Sequence, residues 1–448
     1  MEGYFPISKA VTATAHKQMN NETVKKLWHG FLCTQGTLEI IPSEQLIFRI
    51  GSTPLPMLED EKEYAIAIDE NGVAVVGRDY GSLMRGFFVL LMKIELLDNA
   101  FYIKYTSEQS RYIIRNRMIH ICVFPENDLY FIKKLIRLSA LCQYTHIVIE
   151  FWGTLRYDAM KELAWPHAFT KEQAKELIQE CKELGIEPVP MFNMLGHAPA
   201  SRVRYGKHVV LDQNPKLQYL FTPDGWAWNV ALPEVKTLLK NIRQELYALF
   251  GDGSYFHIGL DEAYLYSQDP ALRKQLPDIL REFTTAVETE GRRPLVWMDM
   301  FLEKDTFKDC YAVGEKDEVE TIRNAAAKSS VFIDWQYGCF DVPIPSLVSL
   351  KDCGKDVMGA PWFKPENYSA HVHTVAENDL FGIMLTTWNG LKENTHHILG
   401  CAKECGAVTF PWSKYTILWT ETATILRNVS FEGNTYADSG WAKEQIEP

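Results

Sequence analysis

Residues 118–151, MIHICVFPENDLYFIKKLIRLSALCQYTHIVIEF, contain a strand, a helix and a second strand in succession. The apolar runs at 118–123 and 146–151 show little polar alternation, which is typical of parallel strands buried on both faces. Between them, residues 129–143 carry apolar side chains at helical spacing. The stretch therefore predicts a strand–helix–strand unit of an α/β protein.

The same alternation continues along the chain as far as residue 405. Strands are predicted at 118–123, 146–151, 187–193, 255–259, 294–299, 330–335, 356–361 and 382–388. Amphipathic helices are predicted at 129–143, 171–184, 234–250, 279–290, 318–328 and 395–405. Eight such units over about 270 residues favour a (β/α)8 TIM barrel. A doubly wound sheet normally opens with a glycine-rich turn, whereas residues 124–127 are FPEN.

The first hundred residues have a different pattern. Residues 63–69 alternate apolar and polar side chains and are followed by a Glu70-Asn71-Gly72 turn, which predicts a β-hairpin. A strand is expected at 45–50, and a helix at 80–94 with Ser82 as its N-cap.

We therefore predict three parts of the chain. These are a small α/β domain at 1–108, a barrel at 109–430 and a C-terminal tail at 431–448, with a linker around 106–111 and a closing helix from Trp419 onward.

The composition restricts the class of protein. Hydrophobic residues make up 46% of the 448 residues and charged residues 23%, as in ordinary globular proteins. The formal net charge of −12 argues against a nucleic-acid partner. No apolar run reaches the ~18 residues of a membrane span, and no signal peptide is visible. Nine cysteines without paired spacing indicate reduced thiols and a cytoplasmic location, and a homodimer remains open.

Polar and aromatic residues follow the predicted strands, where barrels form their active sites. These positions hold Glu150, Trp152, Arg156, Asn193, His197, Asp261, Glu262, Trp297, Asp299, Asp334, Trp335, Tyr337, Trp362, Trp388 and Asn389. Carboxylates can bind sugar hydroxyls, and indole faces can stack on the apolar face of a sugar ring. Acidic groups and indoles at one rim therefore predict a carbohydrate site.

The most informative segment is His257-Ile258-Gly259-Leu260-Asp261-Glu262. Paired carboxylates carry out glycoside hydrolysis, but they usually face each other from different strands about 5–9 Å apart. Adjacent residues suit another scheme, in which the substrate's 2-acetamido oxygen attacks the anomeric carbon. Glu262 would protonate the leaving oxygen, and Asp261 would hold the acetamide N–H. The plainer alternative is a helix N-terminal turn that the helix dipole favours.

Residues 255–262 resemble the His-x-Gly-x-Asp-Glu signature of the family 20 glycoside hydrolases, the β-N-acetylhexosaminidases. Gly196-His197 resembles the family's Pro-Gly-His, and Trp297, Trp335 and Trp388 resemble the indoles that enclose the acetamide and the sugar ring. The resemblance covers roughly residues 60–400.

This resemblance implies an exo-acting, retaining enzyme that removes terminal β-linked N-acetylgalactosamine or N-acetylglucosamine from an oligosaccharide or glycoconjugate. It implies Asp261 and Glu262 as catalytic residues, with no metal and no cofactor. The implied substrate-binding residues are Arg115, His197, Trp297, Trp335, Tyr337, Trp362 and Trp388. Arg115 is included because the family has a hydroxyl-binding arginine near the first strand, and Tyr368 is the alternative to Tyr337 as the acetamide-binding tyrosine.

Several positions depart from the family's pattern and indicate a divergent branch. Leu260 replaces a glycine, Leu195 a proline and His120 an aspartate, and Trp388 is not followed by an acidic residue. Two other functions stay open at this point. One is a two-carboxylate glycosidase that uses Glu150 or Asp334 as its nucleophile, and the other is a non-catalytic sugar-binding barrel.

Overall fold

The computed structural model describes residues 2–33, 35–198, 209–309, 314–388, 391–406 and 418–431. The elements before the barrel are β1 (Tyr4–Ile7), β2 (Ala10–His16), α1 (Glu22–Phe31), β3 (Thr37–Ser43), β4 (Ile47–Gly51), β5 (Tyr64–Asp69), β6 (Gly72–Gly77), α2 (Tyr80–Met92), β7 (Ile94–Leu97), β8 (Ala100–Lys104) and β9 (Thr106–Gln109). They form a three-stranded sheet of order β1-β8-β7 and a six-stranded sheet of order β3-β2-β4-β6-β5-β9.

The predicted hairpin is confirmed, because β5 and β6 pair in antiparallel fashion around the Glu70-Asn71 turn. Helix α2 is also present, but its N-cap is Asp79, whose carboxylate accepts a hydrogen bond from the Ser82 N–H at 2.6 Å. The expected linker is partly wrong, since β9 pairs with β5 at the sheet edge. This polar edge strand has hydrogen-bonded neighbours on one side alone, so its sequence lacks the apolar signal of a central strand.

The eight predicted barrel strands are confirmed. They are β10 (Asn116–Cys122), β11 (His146–Glu150), β12 (Glu187–Met191), β13 (Tyr255–His257), β14 (Arg293–Trp297), β15 (Val331–Asp334), β16 (Asp356–Gly359) and β17 (Gly382–Leu385). All neighbouring pairs are parallel, and pairing of β10 with β17 closes the barrel. Each strand ends before its predicted boundary, because the residues after the last ladder pair turn away into the loops of the barrel mouth.

Helices alternate with these strands along the chain, and two of the described helices follow the last strand. They are α3 (Leu129–Leu141), α4 (Lys171–Glu183), α5 (Val209–Gln213), α6 (Pro233–Phe250), α7 (Tyr264–Gln268), α8 (Pro270–Arg273), α9 (Leu276–Thr289), α10 (Lys316–Asn324), α11 (Pro345–Lys351), α12 (Pro365–Glu377), α13 (Leu391–Glu404) and α14 (Leu418–Asn428). Helix α14 is the expected closing helix and packs against α13 and α1. Most of the predicted tail lies outside the described residues, and the three predicted domain boundaries stay predictions.

The interior of the barrel is filled by apolar side chains. Met118, Val148, Val189, Leu295 and Ile333 are fully buried in one cluster. Trp297 and Trp335 belong to the same cluster, and Trp388 packs against it. The barrel is therefore a packed core with aromatic rings where its interior meets the mouth. Within the described ranges, no helix is long and apolar enough to cross a bilayer.

Candidate active site

The loop after β13 brings two adjacent acidic side chains into the barrel mouth. Gly259, Leu260 and Glu262 have φ values of 70°, 83° and 46°. Gly259 has to lack a side chain here, because a Cβ atom would lie 2.1 Å from Asn193 Oδ1. Leu260 is a buried leucine in a left-handed conformation, which costs roughly 1–2 kcal/mol. Such strain is typical of functional sites, and here it lies next to Asp261 and Glu262.

His197 joins the two carboxylates. Its Nε2 lies 2.8 Å from Glu262 Oε2 and 3.3 Å from Asp261 Oδ2. The preceding Gly196 packs so closely on this loop that a Cβ atom would lie 1.8 Å from the Asp261 carbonyl oxygen. The imidazole also has aromatic neighbours, since its ring centre lies 6.0 Å from that of Trp152 and 5.0 Å from that of Trp226. Two side chains that are adjacent in sequence therefore converge on one imidazole.

Trp226 is a site residue that sequence reasoning missed. Its indole Nε1 donates a hydrogen bond to the Glu262 carbonyl oxygen at 2.7 Å. It lies on a short loop in which Phe221 and Trp228 form an antiparallel bridge. The Pro223-Asp224-Gly225 turn signal, followed by two tryptophans at alternate positions, could have identified this loop.

Asp299, which follows β14, supports the same turn. Its Oδ2 accepts a hydrogen bond from the Glu262 backbone N–H at 2.9 Å. The side chain is fully buried. Burial, and then the negative charge of Asp261, raise the pKa of Asp299 well above its usual range. Asp299 therefore fixes the backbone of Glu262 from inside the barrel.

A buried polar network lies on the first strands. Glu150 Oε2 is 2.9 Å from His120 Nε2, and Glu150 Oε1 accepts a hydrogen bond from Asn193 Nδ2 at 2.9 Å. His120, Cys122 and Glu150 offer donor atoms within 4.8 Å of one another, and no other such group lies in the part of the chain that the structure describes. They could hold a metal ion, but the Glu150 carboxylate already has two polar partners in the protein. The expected absence of a metal stays a prediction.

Aromatic side chains form a continuous wall in the mouth. Tyr337 stacks on Trp335 with ring centres 5.1 Å apart, and its ring lies 5.2 Å from that of Trp362. The Trp388 indole donates a hydrogen bond to the Tyr337 hydroxyl. Trp388 in turn lies 5.9 Å from Trp297. The structure thus brings together all five of these predicted residues.

Tyr337 also lies near the carboxylate pair. Burial raises the pKa of Tyr337 well above its usual range, and the charges of Asp261 and Glu262 add to this effect. Tyr368 lies elsewhere, on α12, where its hydroxyl packs against Gly400 of α13. Of the two candidate tyrosines, the structure places Tyr337 in the mouth.

The prediction for Arg115 is wrong. Arg115 directly precedes β10, so it lies at the amino end of the barrel, whereas Asp261 follows the carboxyl end of β13. Seven strand residues separate these ends by about 23 Å at 3.3 Å per residue. Its side chain is 71% exposed, and Nη2 pairs with Glu61 at 2.7 Å. The sequence placed Arg115 next to the first barrel strand. It did not show that the amino end of this strand, where Arg115 lies, is the end remote from the site.

The protonation state of Asp261 depends on two opposing effects. Burial raises the pKa of Asp261, the nearby His197 charge lowers it, and the charge of Glu262 raises it; together these effects give a pKa of about 6. The sequence-based expectation that Asp261 is ionised therefore applies above about pH 6. His197 makes ionisation easier in a site that otherwise disfavours it.

Comparisons with known proteins agree with this architecture. The model of the "Glycosyl hydrolase family 20, catalytic domain" matches residues 149–343. This part of the barrel is therefore similar in sequence to the catalytic domain of that family. Beta-hexosaminidase subunit A1 of Dictyostelium discoideum is 23% identical over 305 residues, which cover 61% of this chain and 56% of that protein. The chain thus spans little more than half the length of this curated relative.

Two solved structures of hexosamine-cleaving enzymes share the fold. A Vibrio harveyi exo beta-N-acetylglucosaminidase in complex with N-acetylglucosamine superposes with a TM-score of 0.66 at 14% identity, over 96% of this chain and 74% of that chain. A mutant Streptomyces plicatus beta-hexosaminidase in complex with its product gives a TM-score of 0.67 at 14% identity, over 97% and 94% of the two chains. Both comparisons cover the small sheets as well as the barrel.

The role assigned to His197 predicts a shift in the titration of Asp261. In His197→Gln, the carboxyl of Asp261 should titrate above the pKa of about 6 that it has beside the imidazole, because the positive charge that lowers it is removed. Carbon-13 NMR of carboxyl-labelled aspartate, assigned with Asp261→Asn, measures this pKa. An unchanged or lower pKa in His197→Gln would contradict the proposed coupling.

Proposed function

We propose that the chain is an exo-acting, retaining β-N-acetylhexosaminidase. Its substrates are oligosaccharides or glycoconjugates that end in β-linked N-acetylglucosamine or N-acetylgalactosamine. The observation that carries the proposal is the convergence of Asp261 and Glu262 on His197 beside an aromatic wall. The family match and the names of the relatives support the same substrate class.

In the first step, the 2-acetamido oxygen of the terminal sugar attacks its anomeric carbon. The Glu262 carboxyl donates its proton to the glycosidic oxygen, the bond to the leaving group breaks, and a bicyclic oxazolinium ion forms. The Asp261 carboxylate accepts a hydrogen bond from the acetamide N–H. It thereby stabilises the positive charge that develops on the acetamide group. Because this charge grows along the reaction, the interaction is stronger in the transition state than in the ground state.

In the second step, water attacks the anomeric carbon of the intermediate. The Glu262 carboxylate takes a proton from this water, and the oxazolinium ring opens to restore the acetamide. Two inversions at one carbon give net retention of the β configuration. His197 contacts both carboxylates and so holds them in fixed positions through both steps. A raised pKa of Glu262 stays a prediction.

The acetamide group binds against the aromatic wall. The Tyr337 hydroxyl accepts a hydrogen bond from Trp388 Nε1 and lies 3.2 Å from Thr386 Oγ1, which donates its own proton to the Pro361 carbonyl at 2.9 Å. Since a hydroxyl has one proton, Tyr337 can turn its proton from Thr386 Oγ1 to the acetamide oxygen of a bound substrate and direct that oxygen toward the anomeric carbon. Trp335 and Trp388 supply apolar surface that excludes water from the intermediate, and the fully buried Trp297 packs against Trp388.

The two-carboxylate alternative is less favourable. A nucleophile has to contact the anomeric carbon, but Glu150 and Asp334 are both fully buried. Glu150 is already held by His120 and Asn193. Burial raises the pKa of Asp334 to about 7, which makes the carboxylate form of this residue costly. The other alternative, a non-catalytic sugar-binding barrel, gives no reason for the strained backbone turn that carries Asp261 and Glu262.

The mechanism predicts which substrates react. Nitrophenyl β-N-acetylhexosaminides should be hydrolysed, and the nitrophenyl β-glucoside, which lacks the acetamide, should not. Glu262→Gln removes the proton donor and Asp261→Asn the charge at the acetamide, so each should lower kcat at least about 100-fold. Glu366→Gln, at an exposed position on α12, is the matched control and should retain full activity. Efficient cleavage of the β-glucoside would exclude the acetamide mechanism.

Asp299 should act as a positioning residue. Asp299→Asn keeps an oxygen acceptor for the Glu262 N–H and should retain most activity, whereas Asp299→Leu leaves that buried N–H without a partner. A lost buried partner costs about 1–3 kcal/mol, so kcat should fall roughly tenfold or more with little change in KM. Circular dichroism checks the fold of each variant. Equal effects of the two substitutions would contradict the hydrogen-bonding role.

A further inference from the structure

A large groove lies at the amino end of the barrel, remote from the mouth. This basal groove has a volume of ≈ 750 Å³. Its walls include Glu61, Arg78, Asp79, Arg85, Arg115 and Glu187. Asn116 and His146, the first residues of β10 and β11, also line it. Because Asp261 and Glu262 follow the carboxyl end of β13, the length of the barrel strands separates the basal groove from the catalytic pair.

One wall of the basal groove forms where the start of α2 packs against the barrel. The Tyr80 hydroxyl donates a hydrogen bond to the Glu183 carbonyl at 2.6 Å. Gly81 packs directly on Gly185, since a Cβ atom on Gly185 would lie 2.9 Å from the Gly81 Cα. The loop before β12 and the first turn of α2 are therefore in van der Waals contact, and this wall exists before any ligand binds.

Charged side chains of both signs line the basal groove, and protein contacts hold several of them in place. Arg85 Nε donates to Glu63 Oε2 at 2.5 Å, and Arg85 Nη2 donates to Ser82 Oγ at 3.2 Å. The Glu187 carboxylate accepts hydrogen bonds from the backbone N–H and the hydroxyl of Ser254. These contacts fix donors and acceptors at defined positions along the walls.

Other polar atoms of the basal groove keep hydrogen-bonding capacity. Arg85 Nη1 lies beside the start of α2, where a Cβ atom on Gly81 would be 3.1 Å from it, and it has no acceptor among the described residues. Arg115 Nη2 pairs with Glu61 at 2.7 Å, but the two side chains are 71% and 82% exposed. A guanidinium has five N–H donors and a carboxylate about four acceptor sites, so this pair can bind a ligand without separating.

The mixture of charges indicates the class of ligand. Among the described residues that line the basal groove, the basic ones are Lys62, Arg78, Arg85 and Arg115, and the acidic ones are Asp60, Glu61, Glu63, Asp79 and Glu187. A ligand of one charge would be repelled by one of these two sets, and an apolar ligand would leave charged groups without partners. A hydroxyl group both donates and accepts hydrogen bonds. An uncharged, polyhydroxylated ligand therefore suits these walls best.

The size of the basal groove and its aromatic side chain fit an oligosaccharide. Ligand pockets for drug-sized molecules occupy about 300–1,000 Å³, and the volume of ≈ 750 Å³ lies within this range. Tyr112 is half-buried and lines the groove. The Arg117 guanidinium lies over one face of its ring, 4.0 Å from the ring centre. The rest of the ring can pack on the apolar face of a sugar.

We infer that the basal groove is a non-catalytic carbohydrate site that binds an uncharged oligosaccharide. The inference goes beyond the proposed function, because the proposed hydrolysis takes place at the other end of the barrel. It gives Arg115 a hydroxyl-binding role that is remote from Asp261 and Glu262. A branched or polymeric glycan that is held here keeps its other chain ends at a raised local concentration around the enzyme.

The test measures binding of N,N′,N″-triacetylchitotriose by calorimetry while a thiazoline inhibitor fills the barrel mouth. The wild-type chain should still bind the trisaccharide. Arg115→Met removes the N–H donors, and because a hydrogen bond to a charged group is lost, the dissociation constant should rise about tenfold. The exposure of Arg115 allows this substitution without disturbing the core, and circular dichroism checks the fold.

Arg281→Met is the matched control. Arg281 is likewise an exposed arginine that pairs with a neighbouring carboxylate, that of Asp278, but it lies on α9. This variant should bind the trisaccharide as the wild-type chain does. Hydrolysis of nitrophenyl β-N-acetylglucosaminide should be equal in all three proteins, because the basal groove does not contact the mouth. Absence of binding once the mouth is filled, or equal binding by the wild-type chain and Arg115→Met, would overturn the inference.

The binding test is separable from the proposed function because it needs no turnover. If the wild-type chain hydrolyses no N-acetylhexosaminide and binds no thiazoline, the proposed function fails. Titration of the trisaccharide without the inhibitor then still compares the wild-type chain with Arg115→Met. Weaker binding by the variant would support the carbohydrate site in the basal groove, and equal binding would contradict it.

Discussion

The contact of His197 with two adjacent carboxylates is the interaction on which the site depends. Adjacent residues in an extended strand point to opposite faces, so Asp261 and Glu262 can share an imidazole only because the chain leaves the extended conformation after β13. The left-handed residues Gly259, Leu260 and Glu262 provide this turn, and Asp299 fixes it through the Glu262 N–H. Gly196 completes the arrangement by letting the His197 loop touch the Asp261 carbonyl oxygen.

The electrostatics of the mouth follow from its burial. Burial raises the pKa of Asp261 to about 6 and that of Asp334 to about 7, and it lowers the pKa of His257 well below its usual range. A site with this low polarity makes each remaining charge more effective. The His197 imidazole beside Asp261 favours the ionised carboxylate, which the proposed mechanism needs as acceptor for the acetamide N–H. The apolar interior of the barrel thus shifts the pKa values of the acidic residues as well as stabilising the fold.

Much of this architecture could be predicted from the sequence because it depends on local patterns. The eight strands are apolar runs buried on both faces, and the helices between them show 3.6-residue periodicity. The edge strand β9 was missed because its polar residues resemble a loop. The positions of Asp261, Glu262, His197 and the tryptophans followed from the rule that barrel sites form at carboxyl strand ends.

The contacts that complete the site depend on tertiary structure, and sequence patterns do not contain them. Trp226 reaches Glu262 from a separate loop, and Asp299 reaches the same residue from the next strand. The mistaken role for Arg115 arose in the same way. A residue before a strand and a residue after it are close in sequence, yet the length of β10 places them at opposite ends of the barrel.

The central claim is that the acetamide group of the substrate acts as the nucleophile while Asp261 holds its N–H. The most direct measurement is the dissociation constant of a thiazoline analogue of the bicyclic intermediate, compared with that of N-acetylglucosamine. A stable mimic of the intermediate should bind at least about 100-fold more tightly than the sugar, and Asp261→Asn should remove most of that difference. An analogue that binds no more tightly than N-acetylglucosamine would contradict the account.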